Sequence, residues 1–267
     1  MVYFVATPIG NLKDITYRAI ETLNEADVIF CEDTRHTIKL LNAYNIKKPL
    51  YACHKFNERE AGEKILEASR KGEKVAVVSD AGMPVVSDPG NEVCKILTDA
   101  GEPYTVIPGA CAFVAGLVLS ALPADKFTFI GFLPDKQGEK KAVLEKYKHL
   151  DTTLIFHVAP QDLQKTVQTM YEVLGDRNAA AVREITKIHE ESVRFCLKDG
   201  FPKEPKGEFV LFVEGEKQGA CPLNELSEKE HIQHYMRAGL DKKEALKRTA
   251  KDRGVSKSVL YPFAIDL

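Results

Sequence analysis

Two short polar clusters carry the side chains of this sequence that are best suited to acid–base chemistry. The segments CEDTRHT (31–37) and HKFNERE (54–60) each follow an apolar run and each combine carboxylates, histidine and arginine. Histidine titrates near neutral pH and can take a proton from a hydroxyl group, whereas arginine forms paired hydrogen bonds to phosphate. A solvated helix start with a capping residue explains the same composition, so both interpretations stay open. The candidate catalytic residues are Asp33, Arg35, His36, His54 and Glu58.

A third segment, VVSDAGMPVVSDPG (77–90), has the composition of a binding loop. It places two Ser-Asp pairs, two glycines and two prolines directly after an apolar run. A strand that stops at small, turn-forming residues commonly does so to bind a ligand. The sequence contains neither G-x-G-x-x-G nor G-x-x-x-x-G-K-[ST], so a dinucleotide fold or a P-loop lacks its main support. The segment TPIGN (7–11), taken alone, is better explained as a structural turn.

Length and charge limit the classes of protein to which the chain can belong. The 267 residues are 44% hydrophobic and 28% charged, which predicts a globular protein of two compact domains with a small third piece. The formal charge is −2, from 37 basic and 39 acidic residues. The protein as a whole is therefore no polycation, and any contact with nucleic acid must come from local basic patches.

The cysteines and the apolar segments indicate a protein of a reducing cytoplasm. Six cysteines are scattered without a C-x-x-C pair, which argues against a zinc knuckle or a redox dithiol, and we expect no metal site. The first residues, MVYFVATPIG, lack the features of a signal peptide. The longest weakly polar stretch, 105–122, contains Pro108-Gly109 and is explained as a strand, a turn and a buried helix. The sequence thus predicts no membrane segment.

The polar clusters require strands and helices that bring them together. Apolar runs alternate with helical patterns from VYFVA through DVIFC to KVAVV, which is the rhythm of βαβ units in a mostly parallel sheet. Strands without polar alternation are typical of sheets that are covered by helices on both faces. Ligands of such sheets bind at the carboxyl ends of the strands. TPIGN, CEDTRHT, SDAGMPVVSDPG and PGAC (108–111) all lie at such ends.

The rhythm restarts after residue 123 and predicts a second α/β domain. FTFIGF, TTLIFHVA and AAAVREI read as strands, with helices near 136–149 and 161–174, and ESVRFCL and GEFVLFVEG read as a hairpin. Past residue 226 the pattern is purely helical. We divide the chain into domains at 1–118 and 119–222 and a C-terminal helical module at 223–267, with a linker near Gly219–Asn224.

The C-terminal helical segment is locally basic. Residues 231–257 contain eight Lys or Arg and three Asp or Glu, with glycines at 239 and 254 that fit the turns of a helix-turn-helix-like module. A second basic segment lies at 136–148. A solvated helical face is the alternative to RNA contact. If these segments bind RNA, they hold phosphates and do not read sequence.

Eight segments in order resemble one enzyme family. VATPIGNLKDITYRA, CEDTRHTIKLL, HKFNERE, SDAGMPVVSDPG, PGACAF, LPADKFTFIGFLP, REITKIHEE and GEFVLFVEG are similar in spacing to the S-adenosylmethionine-dependent, tetrapyrrole methylase-type family. Within it they resemble the branch that methylates a cytidine ribose 2′-oxygen in the decoding region of 16S ribosomal RNA. The resemblance covers nearly the whole chain. It implies two α/β domains with the cofactor in the cleft between them, the 30S subunit as partner, and a homodimer.

The resemblance also implies which residues bind S-adenosylmethionine. This cofactor carries no phosphate and needs backbone groups that approach it closely, which Gly82 and Pro84 allow. One segment departs from the branch, because HVAPQDL has Gln161 and Asp162 where a basic His-Arg pair is expected. The implied cofactor-binding residues are Pro8, Asp80, Ala81, Gly82, Met83, Val85, Ala110, Cys111, Phe132, His157, Val158, Ala159, Arg183, Glu184 and Ile185.

Two other functions compete with ribose methylation. A methylase that acts on a porphyrin carbon shares the scaffold, although TPIGN stands where a GxGPG-type loop is expected. A non-catalytic RNA-binding protein is the third alternative, favoured by the departure at HVAPQDL and disfavoured by the intact central loop. Ribose methylation itself needs an in-line attack of oxygen on the sulfonium methyl group and requires no metal.

Overall fold

The computed structural model describes residues 1–216, 222–265 and 267, and it contains two five-stranded sheets. The order of strands in the first sheet is β3-β2-β4-β1-β5, and all neighbours are parallel. The predicted parallel α/β unit is confirmed. Its strands are β1 (Val2–Val5), β2 (Val28–Cys31), β3 (Leu50–Ala52), β4 (Val75–Val78) and β5 (Tyr104–Ile107).

Helices cover both faces of this sheet and explain why its central strands are apolar throughout. Every residue of β2 and β4 is buried. Leu23 and Leu41 pack on one face, and Ile65 and Leu97 pack on the other. The polar segments between strands and helices are left at one edge, as the carboxyl ends of parallel strands require. The helices are α1 (Tyr17–Glu25), α2 (Thr34–Ala43), α3 (Glu58–Arg70) and α4 (Asn91–Asp99).

The second sheet has the order β6-β7-β10-β8-β9 and is mixed. Only β6 and β7 are parallel, and the other neighbours are antiparallel. Its strands are β6 (Phe127–Phe132), β7 (Thr153–Val158), β8 (Asn178–Arg183), β9 (Glu191–Cys196) and β10 (Phe209–Val213). Its helices are α5 (Ala112–Ser120), α6 (Gln137–Tyr147) and α7 (Leu163–Leu174).

The predicted hairpin between ESVRFCL and GEFVLFVEG is wrong. β9 pairs with β8, and β10 inserts between β7 and β8. Burial gives the physical reason, because all five residues of β10 are buried and need a strand on each side. β9 has a single buried residue, Val193, which suits the edge position that it occupies.

Helix α5 joins the two halves of the chain. The stretch predicted as strand, turn and buried helix forms β5, residues 108–111 and α5, but the helix is only partly buried, because Val114 and Val118 are exposed. A Cβ at Gly116 would lie 2.7 Å from Phe212 Cζ, so α5 contacts the second sheet closely. Residue 118 lies inside this helix, and the domain limits at 118 and 222 remain predictions. We propose that the second unit begins near Ala112.

The C-terminal module has a small core of its own. Ile232, Leu246, Ala250 and Leu260 are buried together. Its helices are α8 (Glu228–Arg237), α9 (Lys242–Arg253) and α10 (Lys257–Leu260). Gly254 ends α9 with φ 64°, the left-handed conformation that glycine tolerates. Of the predicted linker, residues 219–221 lie outside the described residues, and Pro222–Glu225 forms a short 3-10 turn.

The cysteines of the described chain are free thiols. Burial raises the pKa of Cys31 and raises that of Cys53 to about 12, so both stay protonated at neutral pH. These environments are those of structural, unreactive thiols. Cys221 lies outside the described residues.

Among the described residues, no helix is long and apolar enough to cross a lipid bilayer.

Candidate active site

A cavity of about 460 Å³ lies between the strand ends of the first sheet and the inner surface of the second. The loop after β4 and the segment before α5 form one wall, and β6, β7 and the residues after β8 form the other. Of the residues implied to bind the cofactor, the structure places ten in this lining: Ala81, Gly82, Met83, Cys111, Phe132, His157, Val158, Ala159, Glu184 and Ile185.

Five of the implied residues do not line the cavity. Asp80 contacts the polar cluster after β2, and Arg183 forms an ion pair with Glu191 at 3.0 Å. The others, Pro8, Val85 and Ala110, lie in the chain next to lining residues. The assignment of all fifteen residues to cofactor binding remains a proposal.

The loop after β4 is held in an unusual backbone conformation. Gly82 (φ 86°), Val85 (φ 78°) and Ser87 (φ 67°) all have positive φ angles, which cost a β-branched residue the most. Gly82 and Thr7 exchange backbone hydrogen bonds of 2.9 and 3.1 Å, so this loop is tied to the TPIGN turn. The interpretation of TPIGN as a structural turn alone misses this contact with the binding loop.

An aromatic pair forms part of the opposite wall. The rings of Phe132 and His157 lie 5.2 Å apart at 31°, and Phe129 contacts the edge of His157 at 5.3 Å. Burial lowers the pKa of His157, so the imidazole is neutral at pH 7. Phe132 is 67% exposed, which leaves ring surface available for stacking of a flat ligand.

An ion-paired group lines the cavity where the TPIGN turn meets the segment after β8. Lys187 forms ion pairs with Glu184 at 3.3 Å and Glu208 at 3.0 Å. Glu184 also accepts the backbone N–H of Glu208, which is the main cause of its lowered pKa. A Cβ at Gly10 would lie 2.5 Å from Lys187 Cε, so only glycine lets the TPIGN turn approach this side chain.

Sequence reasoning missed eleven lining residues. All of them except Pro160 lie within the quoted motifs, so a signal was present for these ten residues. The motifs did not show which of their residues line a cavity, because a strand buried on both faces reads the same whether or not it does so. The missed residues are Ile9, Val86, Ser87, Asp88, Ala112, Phe113, Pro160, Lys187, Glu208, Phe209 and Val210.

The cluster after β2 is built around Asp33, which begins α2 as its N-cap. The Arg35 side chain and backbone N–H donate to the Asp33 carboxylate and hold its pKa well below the usual range. Asp80 accepts the backbone N–H of Asp33 at 3.0 Å and lies 3.7 Å from His36 Nδ1. The structure thus brings Asp33, Arg35, His36 and Asp80 together beside the cavity.

In the second cluster, HKFNERE, the side-chain contacts stabilise the fold. Glu58 Oε1 accepts the backbone N–H groups of Gly90 at 2.8 Å and Glu92 at 2.6 Å, so it caps the start of α4. His54 donates its backbone N–H to Asn57, and its buried Nδ1 has no partner among the described residues. None of the five candidate catalytic residues lines the cavity, and their catalytic role remains a prediction.

Within the described part of the chain, no group of three or more His, Cys, Asp or Glu side chains is placed to hold a metal ion.

Comparison with known proteins identifies the family. Residues 1–199 match the model of the tetrapyrrole (corrin/porphyrin) methylases. The chain belongs to this family. It is also 43% identical over 270 residues to the ribosomal RNA small subunit methyltransferase I of Bacillus subtilis (strain 168), covering 98% of this chain and 92% of that protein. The predicted family and the class of methyltransferase are confirmed.

Solved structures share the fold. The methyltransferase CobJ aligns with a TM-score of 0.62 at 18% identity, covering 80% of this chain and 94% of that one. A uroporphyrin-III C-methyl transferase from Thermus thermophilus, in complex with S-adenosylhomocysteine, aligns with a TM-score of 0.56 at 20% identity. That alignment covers 80% of this chain and 97% of the other. The predicted fold class, two α/β units with C-terminal helices, is confirmed.

Proposed function

We propose that this protein transfers a methyl group from S-adenosylmethionine to the ribose 2′-oxygen of a cytidine in 16S ribosomal RNA. One observation carries the proposal: the chain is 43% identical, over 98% of its length, to a relative named for methylation of small-subunit ribosomal RNA. The resemblance of the sequence motifs to the ribose-methylating branch supports the choice of atom. The same resemblance supports a homodimer in the cytoplasm.

The cavity fits the proposed methyl donor. S-adenosylmethionine offers a flat adenine ring, a ribose and an amino acid, and it carries no phosphate. The Phe132–His157 pair supplies a stacking surface, and Gly82 keeps the backbone of the central loop free of a side chain. A cavity of about 460 Å³, with mostly apolar walls, is in the range of small-ligand sites. When bound, the donor supplies an electrophilic methyl group.

The C-terminal module supports RNA as the acceptor. It lies beyond residues 1–199, which the family model covers, so it is an addition to the methylase core. On α9 and the segment after it, Lys243, Lys247, Arg248, Lys251 and Lys257 are exposed. The basic segment at 136–148 is less available, because Lys140 is buried against Thr166 and Lys141 pairs with Glu172. We therefore assign phosphate contact mainly to the C-terminal module.

The protein would accelerate the reaction mainly by positioning the two reactants relative to each other. The backbone hydrogen bonds between Thr7 and Gly82 and the close approach of Lys187 to Gly10 hold the TPIGN turn against both walls of the cavity. Holding the attacking oxygen in line with the methyl carbon and the sulfur, away from water, removes much of the barrier.

A methyl-transfer assay tests the enzyme class and the acceptor together. Purified protein is incubated with tritiated S-adenosylmethionine and with 30S subunits, naked ribosomal RNA or a porphyrinogen. We expect label in the RNA, with 30S subunits as the better substrate. Label in the porphyrinogen alone would favour the carbon methylase, and no label in any acceptor would favour a non-catalytic RNA-binding protein.

Alkaline cleavage of 16S RNA then tests the atom. Ribose methylation blocks cleavage at the modified nucleotide, since the 2′-oxygen can no longer attack the adjacent phosphate. RNA from cells that lack this protein should be cleaved at one cytidine that resists cleavage in RNA from normal cells. The ribose assignment fails if no protected position disappears.

A further inference from the structure

The ionisable side chains that line the cavity differ in how many ion pairs and hydrogen bonds they already form. Glu184, Lys187 and Glu208 form one ion-paired group. Lys187 lies between two carboxylates, which raise its pKa, so it stays a cation and cannot accept a proton. Glu184 has a lowered pKa, first because its Oε1 accepts the backbone N–H of Glu208 and then because Lys187 donates to the same oxygen. The side chains of this ion-paired group are therefore already engaged with one another and are unsuited to proton transfer.

His157 is the next candidate for proton transfer and has another use. Its ring lies against Phe129 and Phe132, at 5.3 and 5.2 Å between centroids. A ring held in an aromatic pair is placed for stacking with a flat ligand. This leaves Asp88, the remaining carboxylate of the cavity lining.

The loop after β4 holds Asp88 in the cavity wall. Ser87, the residue before it, has a φ of 67°, a conformation that side chains rarely adopt and that surrounding structure must enforce. Part of that structure is the second sheet, because a Cβ at Gly131 would lie 3.3 Å from Ser87 Oγ. Asp88 is thereby placed where the two domains meet.

Asp88 is partly buried and has acidic neighbours. The Ser79 side chain, whose hydroxyl donates to the Gly82 carbonyl at 3.3 Å, lies near its carboxylate, and Asp80 and Glu32 are the neighbouring charges on the first-sheet side. Across the cavity stand His157 and the group of Glu184, Lys187 and Glu208. No Lys, Arg or His forms an ion pair with Asp88 within residues 1–216, 222–265 and 267. Asp88 thus combines access to the cavity with a carboxylate that forms no ion pair among these residues.

We propose that Asp88 is the general base that takes the proton of the ribose 2′-hydroxyl during methyl transfer. The proposal rests on the proposed function and adds a residue that the two polar clusters did not contain. As the 2′-oxygen forms its bond to the methyl carbon, the carbon–sulfur bond breaks and its electron pair stays on sulfur, which becomes neutral. The hydroxyl proton passes to the Asp88 carboxylate and is released to water after the product leaves.

The protonation behaviour of Asp88 suits this role. Burial and the charge of Asp80 raise its pKa above the usual value, which makes it a stronger base than an exposed aspartate. A base works only when deprotonated. The rate constant kcat should therefore rise with pH through the raised pKa of Asp88 and fall away below it.

The test compares Asp88→Asn with Asp99→Asn, an exposed aspartate in α4 of the same domain. We expect Asp88→Asn to lower kcat for 30S methylation about 10²- to 10⁴-fold and to abolish the acidic limb of the pH profile. Calorimetry should show S-adenosylhomocysteine binding within about threefold of the unchanged protein, about 0.7 kcal/mol. Carbon-13 NMR of labelled aspartate should show one carboxyl group with a raised pKa, absent in the variant.

Folding cannot explain such a loss, since an ionised carboxylate whose folded pKa is raised destabilises the folded state above that pKa. Asp88→Asn should therefore not lower the melting temperature at pH 8. His157→Gln is the second comparison, and it should weaken cofactor binding while keeping the acidic limb. The inference is overturned if Asp88→Asn methylates ribose with normal kcat and pH profile. Failure of the unchanged protein to methylate ribose would instead overturn the proposed function.

Discussion

At the scale of single residues, the binding loop depends on backbone angles that few side chains tolerate. Gly82 has a φ of 86°, and its missing Cβ would lie 3.2 Å from Ile9 and 3.5 Å from the Ala110 carbonyl oxygen. Gly72, after α3, has nearly the same φ of 89° but no atom within 4 Å of the missing Cβ. The two glycines thus share a backbone requirement and differ in what surrounds them.

Gly82→Val should lower the affinity for S-adenosylmethionine more than any effect on stability explains. We expect both Gly82→Val and Gly72→Val to lose about 1–3 kcal/mol of unfolding free energy from the positive φ. Only the first places a branched side chain at the cavity. Calorimetry with folded protein should show weak binding for Gly82→Val and normal binding for Gly72→Val. Undiminished binding by Gly82→Val would remove the central loop from the cofactor site.

At the scale of elements, Glu58 connects the start of α3 to the start of α4. Its carboxylate accepts two backbone N–H groups that have no partner inside α4. The last residue of the binding loop, Gly90, supplies one of them. The side chain therefore fixes where the binding loop ends, a role different from proton transfer.

Substitution of Glu58 separates these two roles. Glu58→Gln keeps an oxygen that can accept both N–H groups, so kcat should stay within about threefold of the unchanged protein. Glu58→Ala removes the acceptor and should cost about 1–2 kcal/mol of stability, measured by urea unfolding. If Glu58→Gln instead abolishes turnover while the protein stays folded, Glu58 belongs among the catalytic residues.

The elements show how far the sequence could predict the structure. The parallel first sheet, α5 and the C-terminal helices follow from local periodicity, and the strand-end loops follow from parallel topology. The position of β10 could not be predicted in this way, because the order of strands depends on long-range pairing and not on the composition of one strand. In the site, Gly82 and Met83 were found through motif resemblance. Phe209 and Val210 were missed because nothing local distinguishes a cavity wall from a core strand.

At the scale of the whole molecule, we propose that the methylase core and the C-terminal module are separate parts. The module has its own buried cluster around Ile232 and Leu260. Its exposed lysines give it a positive surface in a chain whose net charge is −2. This arrangement fits the proposed roles, in which the core binds the cofactor and the C-terminal module binds RNA.

Deleting residues 226–267 should therefore weaken binding to 30S subunits and leave cofactor affinity nearly unchanged. The slope of log affinity against log salt should fall by about 0.7 for each phosphate of single-stranded RNA that the shortened protein no longer neutralises. A triple variant, with Lys243, Lys251 and Lys257 changed to Gln, should show part of the same effect. Equal affinity and slope in the truncated protein would assign the module to stability or dimerisation.

A matched control for this charge effect is available within the chain. Lys47, Lys95 and Lys165 are exposed lysines outside the module. Changing these three to Gln removes the same net charge from the molecule. Affinity for 30S subunits should then change less than in the module variant. Equal reductions of affinity in both variants would indicate a general effect of net charge.

The central position of β10 also matters while the protein is being synthesised. β10 is the last strand of the described chain, yet it fills the gap between β7 and β8. Until the ribosome has released residues through Val213, the nascent second sheet consists of two halves with open edges facing each other. Open edges can pair with strands of other chains, and long-range pairings form slowly. Insertion of the apolar segment FVLFV thus covers these edges and removes the site at which the nascent chain is prone to aggregate.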